Sequence, residues 1–315
     1  MRHIIRSAAI ITAAASVALP AIAQGQRDGR DGRDGRSRID TTFAFSKGGS
    51  LDLRLFSGDI VVTGWSRGEM KIVANIERGA IDAAVSSSRV SLNARGNRGG
   101  MGEAHFEVMV PFGTQVQTNS ISGDTRVTGT AGEVQITSVN GDIAVSDAIN
   151  RVTVQTVSGG VRASKLRGRT RVETTSGDLE IDDVIGELAA HTVSGEIVMQ
   201  HMQLTQLVTE TTSGDVSYSG SIDPKGSYEL SAHSGDVRLE IPANTSAKVD
   251  LQTFNGEISS RFPVTIAPGF SADRTNFHNA RKLQFTIGGG GAHITIETFS
   301  GDISIGHSTS FRKDN

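Results

Sequence analysis

Asn140-Gly141-Asp142-Ile143-Ala144-Val145, Ser158-Gly159-Gly160-Val161-Arg162-Ala163 and Ser176-Gly177-Asp178-Leu179-Glu180-Ile181 repeat one pattern at intervals of 18 residues. A small-residue turn, Ser/Asn-Gly-Asp/Glu, is followed by apolar residues two and four positions after the glycine. Outward from this stretch the turn glycine recurs at Gly58, Gly123, Gly195, Gly214, Gly235, Gly256 and Gly301. In chain order the spacings are 65, 18, 18, 18, 18, 19, 21, 21 and 45, and 65 and 45 are close to three and two units of the longer coil. A fixed short period implies stacked units, none of which buries its apolar face alone.

Columns aligned on the turn glycine alternate with period two. Two residues after it stand Ile60, Thr125, Ile143, Val161, Leu179, Ile197, Val216, Val237, Ile258 and Ile303. Four after it stand Val62, Val127, Val145, Ala163, Ile181, Met199, Tyr218, Leu239, Ser260 and Ile305. Seven before it come Val116, Val134, Val152, Thr170, Leu188 and Leu207, while Arg126, Arg162, Glu180, Arg238, Gln117, Gln135 and Arg171 occupy the opposite parity. Such alternation marks strands with one buried face. Each unit therefore reads strand, glycine turn, strand, second turn, with consecutive units parallel and in register. The fold class expected is all-β, a parallel β-solenoid with coils of 18–21 residues. No six-residue apolar period of the three-sided left-handed helix is present. Twelve intervals at ~4.8 Å predict a rod of roughly 60 Å. Residues 71–110 and 263–287 lack the turn motif and are expected to be hairpin excursions or caps, since open solenoid ends favour end-to-end self-association.

The termini read differently. Residues 1–23 have a basic start (Arg2, His3, Arg6), an apolar run over 8–19 and the small-residue exit Ala21-Ile22-Ala23, the layout of a signal peptide cleaved before Gln24. The run is shorter than the ~20 residues of a spanning helix, and no second such run occurs. Residues 24–38 repeat Arg-Asp-Gly from Arg27, carry no apolar residue and read as a flexible linker. The repeat domain is expected over 39–307 and a short tail over 308–315.

Charge and composition exclude several functions. Lys+Arg 31 against Asp+Glu 34 gives −3, with 2 Tyr and 1 Trp, which is neither an electrostatic footprint for nucleic acid nor a stacking platform for bases. Removing Arg2 and Arg6 leaves 29 against 34, or −5, and the linker's five Arg and three Asp put −7 on residues 39–315. With Cys 0, disulfides, thiolate zinc sites and cysteine nucleophiles are ruled out.

Three columns could carry chemistry. After the turn glycine come Asp124, Asp142, Gly160, Asp178, Glu196, Asp215, Asp236 and Glu257. They could share Ca²⁺, but the glycine-rich nonapeptide of repeat calcium sites is missing, and turn carboxylates accepting backbone N–H bonds are the expected reading. Four before the glycine the outward column Gln155, Glu173, His191, Glu210 reads as a surface ion-pair ladder. Three before it Ser120, Ser138, Thr156, Thr174, Thr192, Thr211, Thr253 and Thr298 read as a hydrogen-bonded hydroxyl ladder, since a nucleophile would need a neighbouring base and oxyanion donors. His201, His233, His278 and His293 show no ligand spacing. No catalytic, cofactor-binding or metal-ligating residue is assigned, and no cofactor is expected.

Phe56-Ser57-Gly58-Asp59-Ile60-Val61-Val62-Thr63-Gly64-Trp65, then Val108-Met109-Val110-Pro111, then Leu239-Glu240-Ile241-Pro242 ahead of Phe254-Asn255-Gly256-Glu257-Ile258 resemble the bacterial β-strand-repeat family labelled "putative adhesin", a domain of unknown function. The resemblance runs from about Asp40 to His307, with Gly160 departing from the turn carboxylate. It implies a periplasmic, cell-surface or secreted β-solenoid and carries no catalytic residues to transfer. The function expected is a non-enzymatic, adhesin-like binding or scaffold protein of the cell envelope whose partner is an envelope polymer or envelope protein. A polysaccharide-active β-helix enzyme and a self-assembling structural rod are the alternatives.

Overall fold

Inward-facing columns at a constant spacing can all be buried only if successive coils pair without slipping, because a one-residue slip turns every apolar residue to solvent. The computed structural model describes residues 37–96, 100, 102–262, 265–266 and 281–307. Among these residues no helix occurs. The chain divides into two units, Met1–Arg33 and Asp34–Asn315. The expected signal segment, nearly all of the linker and the tail at 308–315 lie outside the described residues. The first strand, Ser37–Ala44, begins two residues before the boundary expected at 39.

The repeat pairs as its columns require. Val161–Ser176 lies parallel to Leu179–Ser194, with Val161 opposite Leu179 and Thr170 opposite Leu188. Leu179–Ser194 lies parallel to Ile197–Ser213, and that strand to Val216–Ser234. Two register shifts fall where coils lengthen, and a third lies between Met199 and Met202. Glu187 faces Gln206, passing over Thr205, and Gln206 faces Ser227, passing over residues 223–226. The columns two after and seven before the turn glycine are buried throughout, and four after it only Ser260 is half-exposed. Each fully buried Val, Leu or Ile contributes about 1.5–3 kcal/mol. Together they form one continuous core.

The second turn follows a backbone rule that its side chains do not announce. Asp147, Lys165, Asp183 and His201, each six residues after a turn glycine, adopt φ of 50–54°, and Asn150, Gly168 and Gly186 follow at 110–124°. A non-glycine residue in the left-handed region costs about 1–2 kcal/mol. Burial of the strands on both sides offsets it.

The long intervals are not extra coils between the turns they separate, which corrects the reading of 65 and 45 as three and two stacked units. Ile60 is the parallel partner of Thr125, so the turns at Gly58 and Gly123 are on neighbouring rungs. The strands between 69 and 111 lie on the far side of Ser50–Trp65. There Arg89–Arg95 and Ala104–Pro111 form one more parallel rung. Antiparallel strands close that end: Glu69–Ile76 on Ala104–Pro111, Ser37–Ala44 on Glu69–Ile76, and Ala80–Val85 on Arg89–Arg95.

At the other end the rungs leave chain order. Ala292–Ser300 and Ile303–His307 insert between the rung of Ser227 to Ile241 and the rung formed by Ala247–Asn255 and Ile258–Ser260. Lys282–Ile287 runs antiparallel to Ala247–Asn255, and Thr265–Ile266 antiparallel to it. The expectation of excursions or caps holds for 71–76, 80–85, 265–266 and 282–287, which pair antiparallel, whereas 89–95 and 104–110 correct it by forming a parallel rung without the turn motif.

Candidate functional site

All the columns that could carry chemistry meet at the glycine-turn edge, and the backbone explains why. Gly141 has φ of 121°, and a Cβ there would sit 2.2 Å from the carbonyl oxygen of Gly123. Only glycine permits this approach. Gly141 N donates to Ser158 O at 3.2 Å and Gly159 N to Ser176 O at 3.1 Å, so each turn is bonded to the next. Adjacent turns run Gly58, Gly123, Gly141, Gly159, Gly177, Gly195, Gly214, Gly235, Gly301, Gly256.

The carboxylates after these glycines bond across rungs. The backbone N–H of Asp142 donates to Asp124 Oδ1 at 2.9 Å, that of Gly160 to Asp142 Oδ1 at 2.9 Å, and that of Glu196 to Asp178 Oδ1 at 2.9 Å. Asp236, Asp302 and Glu257 continue the ladder by donating to Asp215, Asp236 and Asp302, each at 2.8 Å. Gly160 interrupts the ladder, having no side-chain oxygen to offer Asp178. The carboxylates accept backbone N–H bonds, as the sequence reading has them, and the donors belong to the next rung.

The hydroxyl column is buried throughout, but it is not one ladder. Ser120 Oγ donates to Ser138 Oγ at 3.0 Å, whereas Thr253 and Thr298 donate to Gly301 O and Gly235 O at 3.1 Å. Thr174 and Thr211 have no hydrogen-bond partner for Oγ1.

The outward column makes two cross-rung contacts rather than the continuous ion-pair ladder expected, and the Arg–Glu pairs lie in the columns beside it. Gln155 Nε2 donates to Glu173 Oε2 at 2.8 Å, Arg171 pairs with Glu173, and His191 Nδ1 lies 3.3 Å from Glu210 Oε2. Arg162 meets Glu180 at 2.6 Å and Arg169 meets Glu187 at 2.6 Å. The hydrogen bond from Arg169 holds the Glu187 carboxyl below its ordinary range. Of the remaining histidines, His201 Nδ1 lies 2.6 Å from Asp182 and His233 stacks on Phe299, while His278 lies outside the described residues.

Two features escaped the sequence reading. Asp59, Glu77, Glu103 and His105 line an open cleft of about 530 Å³ with Ser57 and Asn75. Two of its carboxylates come from the excursion, whose path no repeat column predicts. His105 Nδ1 is 4.0 Å from Asp59 Oδ2, and among the described residues no group of three or more His, Asp or Glu is placed to hold a metal ion. The second feature is a row two residues before the turn glycine. It runs Phe56, Ile121, Val139, Val157, Thr175, Val193, Thr212, His233, Phe299, Phe254 in rung order, and its large apolar members are exposed. Alignment on the glycine would have shown it.

A family model described as Toastrack DUF4097 matches residues 101–306. No protein of curated function matches the chain. Similar solved structures include a "putative lipid binding protein" from Parabacteroides distasonis, 10% identical, covering 86% of this chain and 97% of that one with a TM-score of 0.49. Another is a "putative adhesin" from Bacteroides fragilis, 12% identical, covering 85% of this chain and 97% of that one with a TM-score of 0.42. No helix among the described residues is long and apolar enough to cross a membrane.

Proposed function

The chain belongs to the Toastrack DUF4097 family, and on that premise we propose that it is an exported, non-enzymatic parallel β-solenoid, envelope-associated or secreted, that acts as an adhesin-like binding or scaffold protein. The observation that carries this reading is the carboxylate ladder. The repeated groups best placed for chemistry have an oxygen engaged by the backbone of the next rung, as Asp142 Oδ1 is by Gly160 N. They join coils, and the repeated outward surface is what the molecule offers to a partner. The antiparallel strands at both ends support a capped rod over an open-ended, self-assembling one.

A catalytic alternative would fall on the cleft of Asp59, Glu77, Glu103 and His105, where carboxylates face open space. The test is to incubate the purified chain with envelope polysaccharide and envelope extract, measuring capture and newly formed reducing ends. The reading predicts capture of a polymer or envelope protein without cleavage. Cleavage that Asp59→Asn or Glu103→Gln abolishes would overturn it. Export is tested by the mature N-terminus, expected at Gln24.

A further inference from the structure

We propose that the apolar row along the glycine-turn edge docks a basic amphipathic helix of a partner polypeptide. The inference rests on the binding reading above and names the surface and the chemistry of the partner.

Single exposed apolar residues need no explanation, but a continuous row is different. Phe56, Ile121, Val139 and Val157 occupy four successive rungs, and Val193 follows after Thr175; Phe56 is 56% exposed and Val157 48%. Nothing in their strands requires this, since the residue before each, Leu55, Ser120, Ser138, Thr156 and Thr192, already fills the core at the opposite parity. Carboxylates line the turn side of the row. Asp124, Asp142 and Asp178 stand across the turn, whereas the strand side is mixed: Arg54, Asn119, Thr137 and Gln155 stand two residues before Phe56, Ile121, Val139 and Val157, and Glu173, paired with Arg171, stands before Thr175. Each Asp bonds the next rung through Oδ1 alone, leaving its charge at the surface. An apolar stripe edged by an acidic row is complementary to an apolar helical stripe with Lys or Arg along one side.

Spacing selects a helix. From Phe56 to Val193 the row spans five rung intervals, ~24 Å at ~4.8 Å each. A helix covers that length in about 16 residues, and its ~5.4 Å pitch drifts from the rungs by only ~3 Å over the row. An extended strand laid along the same axis repeats its face every ~6.8 Å and is out of step after two rungs. Sugar rings are disfavoured because the row offers few free ring faces. His233 and Phe254 lie against Phe299 at 5.0 and 4.9 Å, nearly parallel to it, and Arg281 sits 5.2 Å from the Phe254 ring.

The test uses the purified chain and a fluorescent 18-residue Leu/Lys peptide with Leu at i, i+3, i+4 and i+7, beside a scrambled peptide of the same composition. The patterned peptide should bind about tenfold or more tightly than the scrambled one. Val139→Ser, Val157→Ser and Val193→Ser together should weaken it by about tenfold or more, with the circular dichroism unchanged. Asp124→Asn, Asp142→Asn and Asp178→Asn together keep the Oδ1 acceptors; they should weaken binding several-fold and flatten its salt dependence. Equal binding of the scrambled peptide, or indifference to either triple variant, would overturn the proposal. Sedimentation of the parent as a dimer that the serine variant converts to monomer would identify a second copy as the occupant and overturn it too. Loss of peptide binding with envelope capture retained discards the helix alone; absence of capture discards the binding reading itself.

Discussion

Replacing Gly177 by Ala inserts one methyl group at a point of close approach between two coils. The new Cβ would lie 2.1 Å from the carbonyl oxygen of Gly159, in a backbone with φ of 154°. Backbone strain of this kind costs about 1–3 kcal/mol, and forcing a carbon into a packed contact about 1–3 kcal/mol more. The sum, about 2–6 kcal/mol, is a large part of the ~5–15 kcal/mol of a whole domain. Gly68→Ala is the control, because a Cβ there meets nothing within 4 Å and its φ is not positive. Melting followed by circular dichroism should show a drop of roughly 4–24 °C for Gly177→Ala, at ~2–4 °C per kcal/mol for a domain of this size, and almost none for Gly68→Ala. Equal melting temperatures would refute the turn geometry and the register built on it.

Thr170 is buried between Val152 and Leu188 of the adjoining rungs with its hydroxyl unpartnered. Thr170→Val should therefore raise stability in urea by about 1 kcal/mol, and a loss would place an unseen partner there. Asp142→Ala should cost about 1 kcal/mol by removing the acceptor of Gly160 N, while Asp142→Asn should cost little; an equal loss in both would make charge, not the hydrogen bond, the stabilising feature. Burial pushes the Tyr228 hydroxyl up to about 12 and raises Tyr218 further. Both folded values lie above the ordinary 10, so this stability is complete below pH ~10 and is lost as pH rises toward 12. Phenolate absorbance from the 2 tyrosines should appear together with loss of circular dichroism, and ionisation near pH 10 in a folded protein would contradict their packing.

The central coils were legible because every rung repeats one requirement. Ile143, Val161, Leu179 and Ile197 are buried where the alternation places them, and the glycines stand where one carbonyl meets the next turn. The second corner was not legible in residue type. Asp147, Lys165, Asp183 and His201 share a backbone conformation whose cost packing can offset in side chains of any type. Rung order at the carboxyl end was hidden for another reason. Ala292–Ser300 shows the same inward pattern whether it follows Ala247–Asn255 outward or inserts beneath it, and only the antiparallel return of Lys282–Ile287 decides. Likewise the buried alternation of Glu69–Ile76 marks a strand but not its direction. The carboxylate column was correctly read as accepting backbone N–H bonds, yet its partners lie one rung away, a distance that sequence spacing equates with 18 residues without saying which neighbour is bonded.

Deleting residues 168–185 tests most directly whether the 18-residue coil is the structural unit. Gly168 is the in-register partner of Gly186, so the cut joins Arg167 to Gly186 at equivalent points of the corner. Strand 188–194 would then meet 152–158, and 161–164 would meet 197–200, with every inward column kept. Stability in such a stack is approximately a sum of unit and nearest-neighbour terms. Circular dichroism of the deletion variant, followed through thermal unfolding, should show the parent's β signal and a cooperative transition at a moderately lower temperature. A variant with no β signal and no transition would contradict the account.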